Sequence, residues 1–463
     1  MAIHPKYIDW FLLTLSVNFL QAAPNSGSHK INKLKIAVIG AGVSGLSCAK
    51  SARKLGHDVV IWEQGEALGG IWFYTEKTGK DEYEDEIHTP MYKELRANTP
   101  YQLLEFSGWK FPNGTNSYPS QAEVWNYINS YAKHFGIDKL IKFHHRVDKV
   151  ESIKGDKWKI TVTDKIKNYT KTDEFDAICV CSGVFALPIY PNIRDIDRFK
   201  GEAIHSRHYR NAKAYEDRID KDVLIVGAGP SGKDITIHVA TYANRVTLSR
   251  HIPDDENEQD FQKLQVGFGP KVTLRGEVQR LTENGAEFKD GTYQTFDSII
   301  FATGFDYSYP FLDESTGIHV KDNYIEPLYK HIINIEHPTM AFIGGVVSVA
   351  AMPIYDLQAR FALQFITKAK KLPPYEDMKL DMQTRNEAQW NKGIPNSKTH
   401  SIGSNIQDYA NQLAETAGIP NIPTVISDIF IDSRKIYKIT DPFGFRSNVY
   451  TIKSDAEFKR ERL

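Results

Sequence analysis

The apolar residues that open the patterned part of this chain come in one unbroken run. Lys35-Ile36-Ala37-Val38-Ile39 shows no alternation, which is how a strand reads when it lies in a parallel sheet covered on both faces. Gly40-Ala41-Gly42-Val43-Ser44-Gly45 follows, then a helical stretch over 46–55, a stop at Gly56-His57 and a second apolar run, Val59-Val60-Ile61-Trp62-Glu63. Together they predict a βαβ unit. The same succession returns far downstream. Asp222-Val223-Leu224-Ile225-Val226 is a strand, Gly227-Ala228-Gly229-Pro230-Ser231-Gly232 a second glycine turn, 233–242 a helix and 245–250 the next strand. Two more strands run into a glycine, over 175–183 and 296–304. The apolar stretch Phe361-Ala362-Leu363-Gln364-Phe365 reads as a core helix.

This order predicts an α/β chain with two Rossmann-type dinucleotide-binding domains, the smaller inserted in the larger. The expected boundaries are 33–200 with 305–450 for the larger, discontinuous domain and 201–304 for the insertion.

Each glycine turn is preceded by a strand and followed by a helix, the context that gives G-x-G-x-x-G its meaning. The first glycine makes a tight turn, the second lets the backbone approach a pyrophosphate, and the third lets helix and strand pack closely. The helix then offers unpaired N–H groups to the phosphates. Candidate cofactor contacts are therefore Gly40, Ala41, Gly42, Val43, Ser44 and Gly45 in the first unit. In the second they are Gly227, Gly229, Pro230, Ser231 and Gly232, with Asp234 on the helix that follows. The two units differ at one telling place. Glu63 lies eighteen positions after Gly45, and Arg250 eighteen after Gly232. A carboxylate accepts hydrogen bonds from a ribose 2′-OH and repels a 2′-phosphate; an arginine binds that phosphate bidentately. The first site is thus expected to take FAD or NAD and the second NADP, with Ser249 beside Arg250 as a further phosphate donor. Two dinucleotides on one chain imply electron transfer between them. A second nicotinamide would be redundant, so the first site is read as an FAD site. Gly69-Gly70-Ile71-Trp72, just past Glu63, allows close backbone approach to the flavin or its pyrophosphate, which adds Gly70, Ile71 and Trp72 to the candidates.

The chain has 463 residues, 57 basic and 58 acidic, and this balance gives no electrostatic reason to expect nucleic acid. The three cysteines, Cys48, Cys179 and Cys181, lack zinc or redox spacing and read as buried thiols. Lys6, an apolar run over 10–20, then Ala22, Ala23 and Pro24 form the pattern of a secretory signal peptide, expected to span 1–22. The chain is accordingly expected to be secreted, with cytoplasm or endoplasmic reticulum lumen as alternatives. Asn113 and Asn168 stand in glycosylation sequons. No other segment is apolar enough to span a bilayer, and the charged end over 453–463 is no membrane anchor.

Phe199-Lys200-Gly201-Glu202-Ala203-Ile204-His205-Ser206-Arg207-His208-Tyr209 matches F-x-G-x-x-x-H-x-x-x-[FY]. It resembles the identifying motif of the flavin-containing monooxygenases. Phe301-Ala302-Thr303-Gly304-Phe305 is similar to the family's F-A-T-G-[YF] segment, marking Thr303 and Gly304 as cofactor contacts. Arg96-Ala97-Asn98-Thr99-Pro100 resembles the stretch with the family's active-site asparagine, here Asn98, followed by Thr99. Asp356-Leu357-Gln358-Ala359-Arg360 is similar to a late E-L-Q-A-R segment whose glutamine contacts the flavin. The resemblance implies FAD and NADPH as cofactors, with O2 and a small amine or sulfur compound as substrates. It also implies oxygenation through a C4a-hydroperoxyflavin, with Asn98 as the catalytic hydrogen-bonding residue. His205 and Tyr209 would link the two domains without reacting. Arg210 after Tyr209 favours the N- and S-oxygenating branch over Baeyer–Villiger chemistry. The leader and the charged end make the chain similar to insect enzymes that N-oxygenate pyrrolizidine alkaloids, the senecionine N-oxygenases. Pro230 departs from the asparagine common in the family's second turn. The alternatives are S-oxygenation, Baeyer–Villiger oxidation, and a secreted flavin- or toxin-binding carrier without turnover. A disulfide reductase would need a cysteine pair near the first glycine helix, and Cys48 is expected to stand alone there. The reading leaves room for a homo-oligomer.

Overall fold

In the computed structural model, described for residues 33–218, 221–253 and 256–463, the first glycine unit forms part of a seven-stranded sheet. The expected signal peptide lies outside the described residues. Strand β1 (Lys35–Ile39) runs parallel to β2 (Asp58–Trp62) on one side and to Ala177–Val180 on the other. Ile141–Lys142 continues the sheet beyond β2, and Met340–Phe342 continues it beyond Ala177–Val180, both in parallel. Ile36, Ala37 and Val38 are fully buried, which explains why the run lacks alternation. A separate five-stranded sheet is parallel throughout, in the order Val272–Arg275, Arg245–Ser249, Asp222–Val226, Ser298–Phe301, Glu202–His205. Its strands fall in sequence between Ala177–Val180 and Met340–Phe342 of the first sheet. The fold is therefore α/β with two Rossmann-type units, the smaller inserted in the larger.

The helices α1 (Val43–Lys54), α2 (Gln121–His134), α3 (Pro230–Val239), α4 (Glu258–Phe268) and α5 (Ala351–Ile366) surround these sheets. Helices α1 and α3 each start three residues before the expected 46 and 233. Gly42 and Gly229 are already the caps, so the last residues of each glycine motif form the first helical turn. Helix α2 begins with a reciprocal capping box between Ser120 and Glu123, which satisfies two backbone donors that would otherwise be orphaned. Helix α5 packs on α1 and buries Phe361, Ala362 and Leu363, as their pattern predicts. The charged end is not a loose tail: Asn448–Ser454 and Glu457–Arg462 form an antiparallel hairpin.

All three thiols are free and buried. Contrary to expectation, Cys48 does not stand alone beside the first glycine turn: its thiol meets those of both Cys179 and Cys181. Burial pushes the Cys181 thiol up and keeps it protonated.

Among the described residues, no helix is long and apolar enough to cross a membrane.

Candidate active site

The two glycine turns are built alike. Gly40 and Gly227 have φ of +102° and +105°, and a Cβ there would lie 2.6 Å from the Cys181 carbonyl oxygen and 2.5 Å from that of Ala302. Both positions require glycine for conformation and for space. A Cβ on Gly45 would overlap the Gly40 carbonyl oxygen, and one on Gly232 that of Gly227. Gly42 and Gly229 cap α1 and α3 with extended backbone and no side-chain hydrogen bond, leaving the first N–H groups of both helices for a ligand. Among the described residues nothing lies within 4 Å of a Cβ built on Gly229, which leaves the approach to α3 open among them. Pro230 occupies the first helical position, where no N–H is needed and its φ is already set. Ser231 is exposed beside it. These cradles fit the pyrophosphates of two dinucleotides.

In the first unit Gly69 donates to the Ala41 carbonyl at 2.9 Å, and Gly70 backs onto Gly42, so the Gly69-Gly70 pair packs directly on the first glycine turn. Gly70 and Ile71 are exposed, while Trp72 and Val43 pack on the main core. Glu63 lies one residue past β2. Its carboxylate accepts from the Ala41 and Gly65 N–H groups, each at 2.8 Å. Burial raises its pKa, and those backbone hydrogen bonds oppose the rise. A carboxylate has about four lone-pair sites, so two remain for ribose hydroxyls. Ser44 is buried, with its hydroxyl 3.5 Å from the Cys181 carbonyl, and Gly344 sits against it.

In the second unit Arg250 lies one residue past its strand, as Glu63 does. Its guanidinium pairs with Glu256, donates to the His251 carbonyl at 3.3 Å and lies over the Phe261 ring at 5.6 Å. Glu256, Phe261, Ile252, Asn257 and Glu258 line a concave face beside it. Ser249 does not join Arg250. Its hydroxyl is buried and donates to the Gly276 carbonyl at 2.9 Å, because neighbours along a strand face opposite sides.

Other expected contacts are committed to protein. Asp234 accepts from the Tyr92 hydroxyl at 2.6 Å and from Arg446 at 3.1 Å. It lies one full turn along α3 from Pro230, set back on the axis from the first N–H groups. Thr303 donates to the Ile189 carbonyl, and Gly304 accepts from the Ile189 N–H at 3.0 Å. Gln358 is fully buried; its oxygen accepts from the Gly344 N–H at 2.9 Å and its nitrogen donates to the Tyr409 hydroxyl at 2.8 Å. It therefore braces the loop against Ser44, with both ends of its amide in use. Asn98 is different: it is exposed in a bend, and its side chain has no hydrogen bond among the described residues. Thr99, half-buried, follows it, and Pro100 caps the turn Tyr101–Leu104.

The model of the flavin-binding monooxygenase-like family matches residues 33–253 and 264–448. The chain belongs to that family. It is 33% identical over 461 residues to the senecionine N-oxygenase of Tyria jacobaeae, covering 97% of this chain and 96% of that one. It is 31% identical to the flavin-containing monooxygenase FMO GS-OX4 of Arabidopsis thaliana, covering 85% and 86%. Among solved structures, S-allyl-L-cysteine S-oxygenase from Allium sativum superposes with a TM-score of 0.81 at 28% identity, covering 89% of this chain and 95% of that one. Tmm from Pelagibacter sp. strain HTCC7211 gives 0.79 at 26%, covering 90% and 93%.

In this flavin monooxygenase the F-x-G-x-x-x-H-x-x-x-Y segment does tethering work. A Cβ on Gly201 would lie 2.5 Å from the Asp297 carbonyl oxygen. His205 is fully buried, accepts from the Arg207 N–H at 3.1 Å, and burial holds its pKa down to about 4, so the ring is neutral. Tyr209 packs edge-on against Tyr92, with centroids 5.4 Å apart. Arg207 donates to the Ile87 carbonyl at 3.0 Å, and Arg210 to those of Lys77 and Thr89 at 3.0 and 3.2 Å. Sequence reasoning named neither buried arginine as a clamp. It also missed Tyr92 and Arg446, whose partners are remote in the chain.

Proposed function

We propose that this flavin monooxygenase uses NADPH and O2 to N-oxygenate a tertiary amine of the pyrrolizidine alkaloid class, as a secreted enzyme. Similarity to a senecionine N-oxygenase along nearly the whole chain carries the amine reading. FAD belongs to the larger unit, 33–200 with 305–450, where Glu63 takes the ribose hydroxyls and the N-terminus of α1 the pyrophosphate. NADPH belongs to the insertion, 201–304, where Arg250 takes the 2′-phosphate and the N-terminus of α3 the pyrophosphate. The paired cofactors supply the reducing equivalents and the activated oxygen. The chain's own task is to orient both rings and keep stray water and protons away from the reacting oxygen. Asn98, with its free amide, is the hydrogen-bonding residue of that site.

Asn98→Asp puts an acceptor-only carboxylate where an amide N–H is needed. NADPH oxidation should continue while the share ending as hydrogen peroxide rises, with coupling to product falling about tenfold. A variant as well coupled as the wild type would remove Asn98 from the site. Substrate class is tested by offering a pyrrolizidine alkaloid and a thioether in competition, with N-oxide expected to dominate. The similarity to an S-oxygenase favours a second reading, in which sulfoxide dominates. Protein recovered from the medium of expressing cells and sequenced from its N-terminus checks the secreted reading; retention in the cells with residues 1–22 attached would sink it.

A further inference from the structure

After helix Thr424–Lys435 the chain passes through a π-helical turn, Ile436–Thr440, a feature that often marks functional places. The segment beyond it touches three separate parts of the molecule. Phe443 fills the space a side chain on Gly267 of α4 would need, and its ring meets Phe268 edge-on at 4.8 Å. Arg446 lies over Phe445 at 4.9 Å and spreads its guanidinium over two targets. One is Asp234 of α3, at 3.1 Å. The other is the backbone just before Asn98, through the Arg96 carbonyl at 3.0 Å and the Ala97 carbonyl at 3.3 Å. Tyr92 completes the cluster by donating to the second oxygen of Asp234 at 2.6 Å.

We propose that Arg446, paired with Asp234, is a positioning residue that fixes the Asn98 loop to the helix receiving the NADPH pyrophosphate. The inference rests on the assignment of α3 to NADPH and of Asn98 to the active site.

The geometry suits this role better than general adhesion. A lone ion pair between α3 and the strap would fix only that helix. Here one planar guanidinium holds a helix carboxylate and two consecutive loop carbonyls together, so α3 and the loop cannot shift independently. Asp234 and Arg446 are 12% and 27% exposed, which leaves little room for water to replace either partner. Asp234 also cannot turn to the cofactor without abandoning both Tyr92 and Arg446. A placement error at the loop would therefore appear as lost protection of the reacting oxygen and not as lost flavin.

The test uses the full chain with FAD bound, in air, with NADPH and no organic substrate. Hydrogen peroxide release, KM for NADPH and flavin content are measured for Asp234→Asn, Arg446→Met, their double variant and Arg446→Lys. Peroxide release should rise about tenfold in each of the first two, with flavin content unchanged. The double variant should be no worse than either single one, because the two act as a unit. Arg446→Lys, which keeps a cation but not the fork, should fall between wild type and Arg446→Met. If Arg446→Met loses its flavin, Asp234→Asn and Arg446→Lys carry the same expectation. Wild-type peroxide release in all variants, or single effects that multiply in the double, would overturn the inference alone. A wild type whose flavin NADPH does not reduce would overturn the underlying cofactor reading, and the inference with it.

Discussion

Gly232→Ala is expected to yield a yellow protein whose flavin NADPH cannot reduce, and Gly45→Ala a protein without flavin. The two substitutions are chemically the same, and the clash is the same in kind. In each, the new methyl group overlaps the carbonyl oxygen of the first glycine in its own turn. The carbonyl belongs to backbone locked at positive φ between two parallel strands, so it cannot yield as a flexible side chain would. The turn must open, and the helix N–H groups lose their aim at the phosphates. What differs is the sheet on which each turn is mounted. For Gly232→Ala the rate of flavin reduction by NADPH should fall more than about 100-fold, since misplacement of about 1 Å suffices for that. Absorbance of the purified proteins and rapid mixing with NADPH read both outcomes. A yellow, NADPH-reducible Gly45→Ala, or a colourless Gly232→Ala, would mean the two turns have been assigned to the wrong cofactors.

Arg250→Gln should raise KM for NADPH roughly 10- to 100-fold and leave that for NADH nearly unchanged. Charge-assisted hydrogen bonds contribute about 1.5–3 kcal/mol, which corresponds to that range. Glu256 gives the prediction a second side. Its carboxylate holds Arg250, with both side chains 10% exposed, so a 2′-phosphate must displace it or tolerate its charge. Glu256→Gln should therefore lower KM for NADPH several-fold, opposite in sign to Arg250→Gln. If the two substitutions act in the same direction, Arg250 is a structural partner of Glu256 and does not read the phosphate.

Much of the fold was legible because both glycine units are local. Strand, turn and helix lie within about thirty residues, and fully buried parallel strands cannot help reading as unbroken apolar runs. The places of Glu63 and Arg250 were legible for the same reason: each residue follows its strand directly. Ser249 was misread because the side-chain period of two sends it away from Arg250. Asp234 was misread because its carboxylate is held by Tyr92 and Arg446, neither of them near it in sequence. Gln358 sits on α5 with both amide ends spent on Gly344 and Tyr409, which no sequence motif discloses. What the sequence hid is long-range. Arg446 is 212 residues from Asp234, Tyr92 is 142 from it, and Cys48 on α1 meets Cys179 and Cys181 only because Ala177–Val180 pairs with β1. No periodicity encodes such contacts; they exist only once the sheets have formed.

If the two dinucleotide sites of this chain serve the transfer of an oxygen atom from O2 to a nucleophilic substrate, the oxygen of the product must come from O2. Purified holoenzyme given NADPH, isotopically labelled O2 and a pyrrolizidine alkaloid should form labelled N-oxide in nearly one-to-one ratio to the NADPH consumed. NADPH consumption that ends only in hydrogen peroxide, for amines and thioethers alike, would mean that the two sites do not serve oxygen transfer.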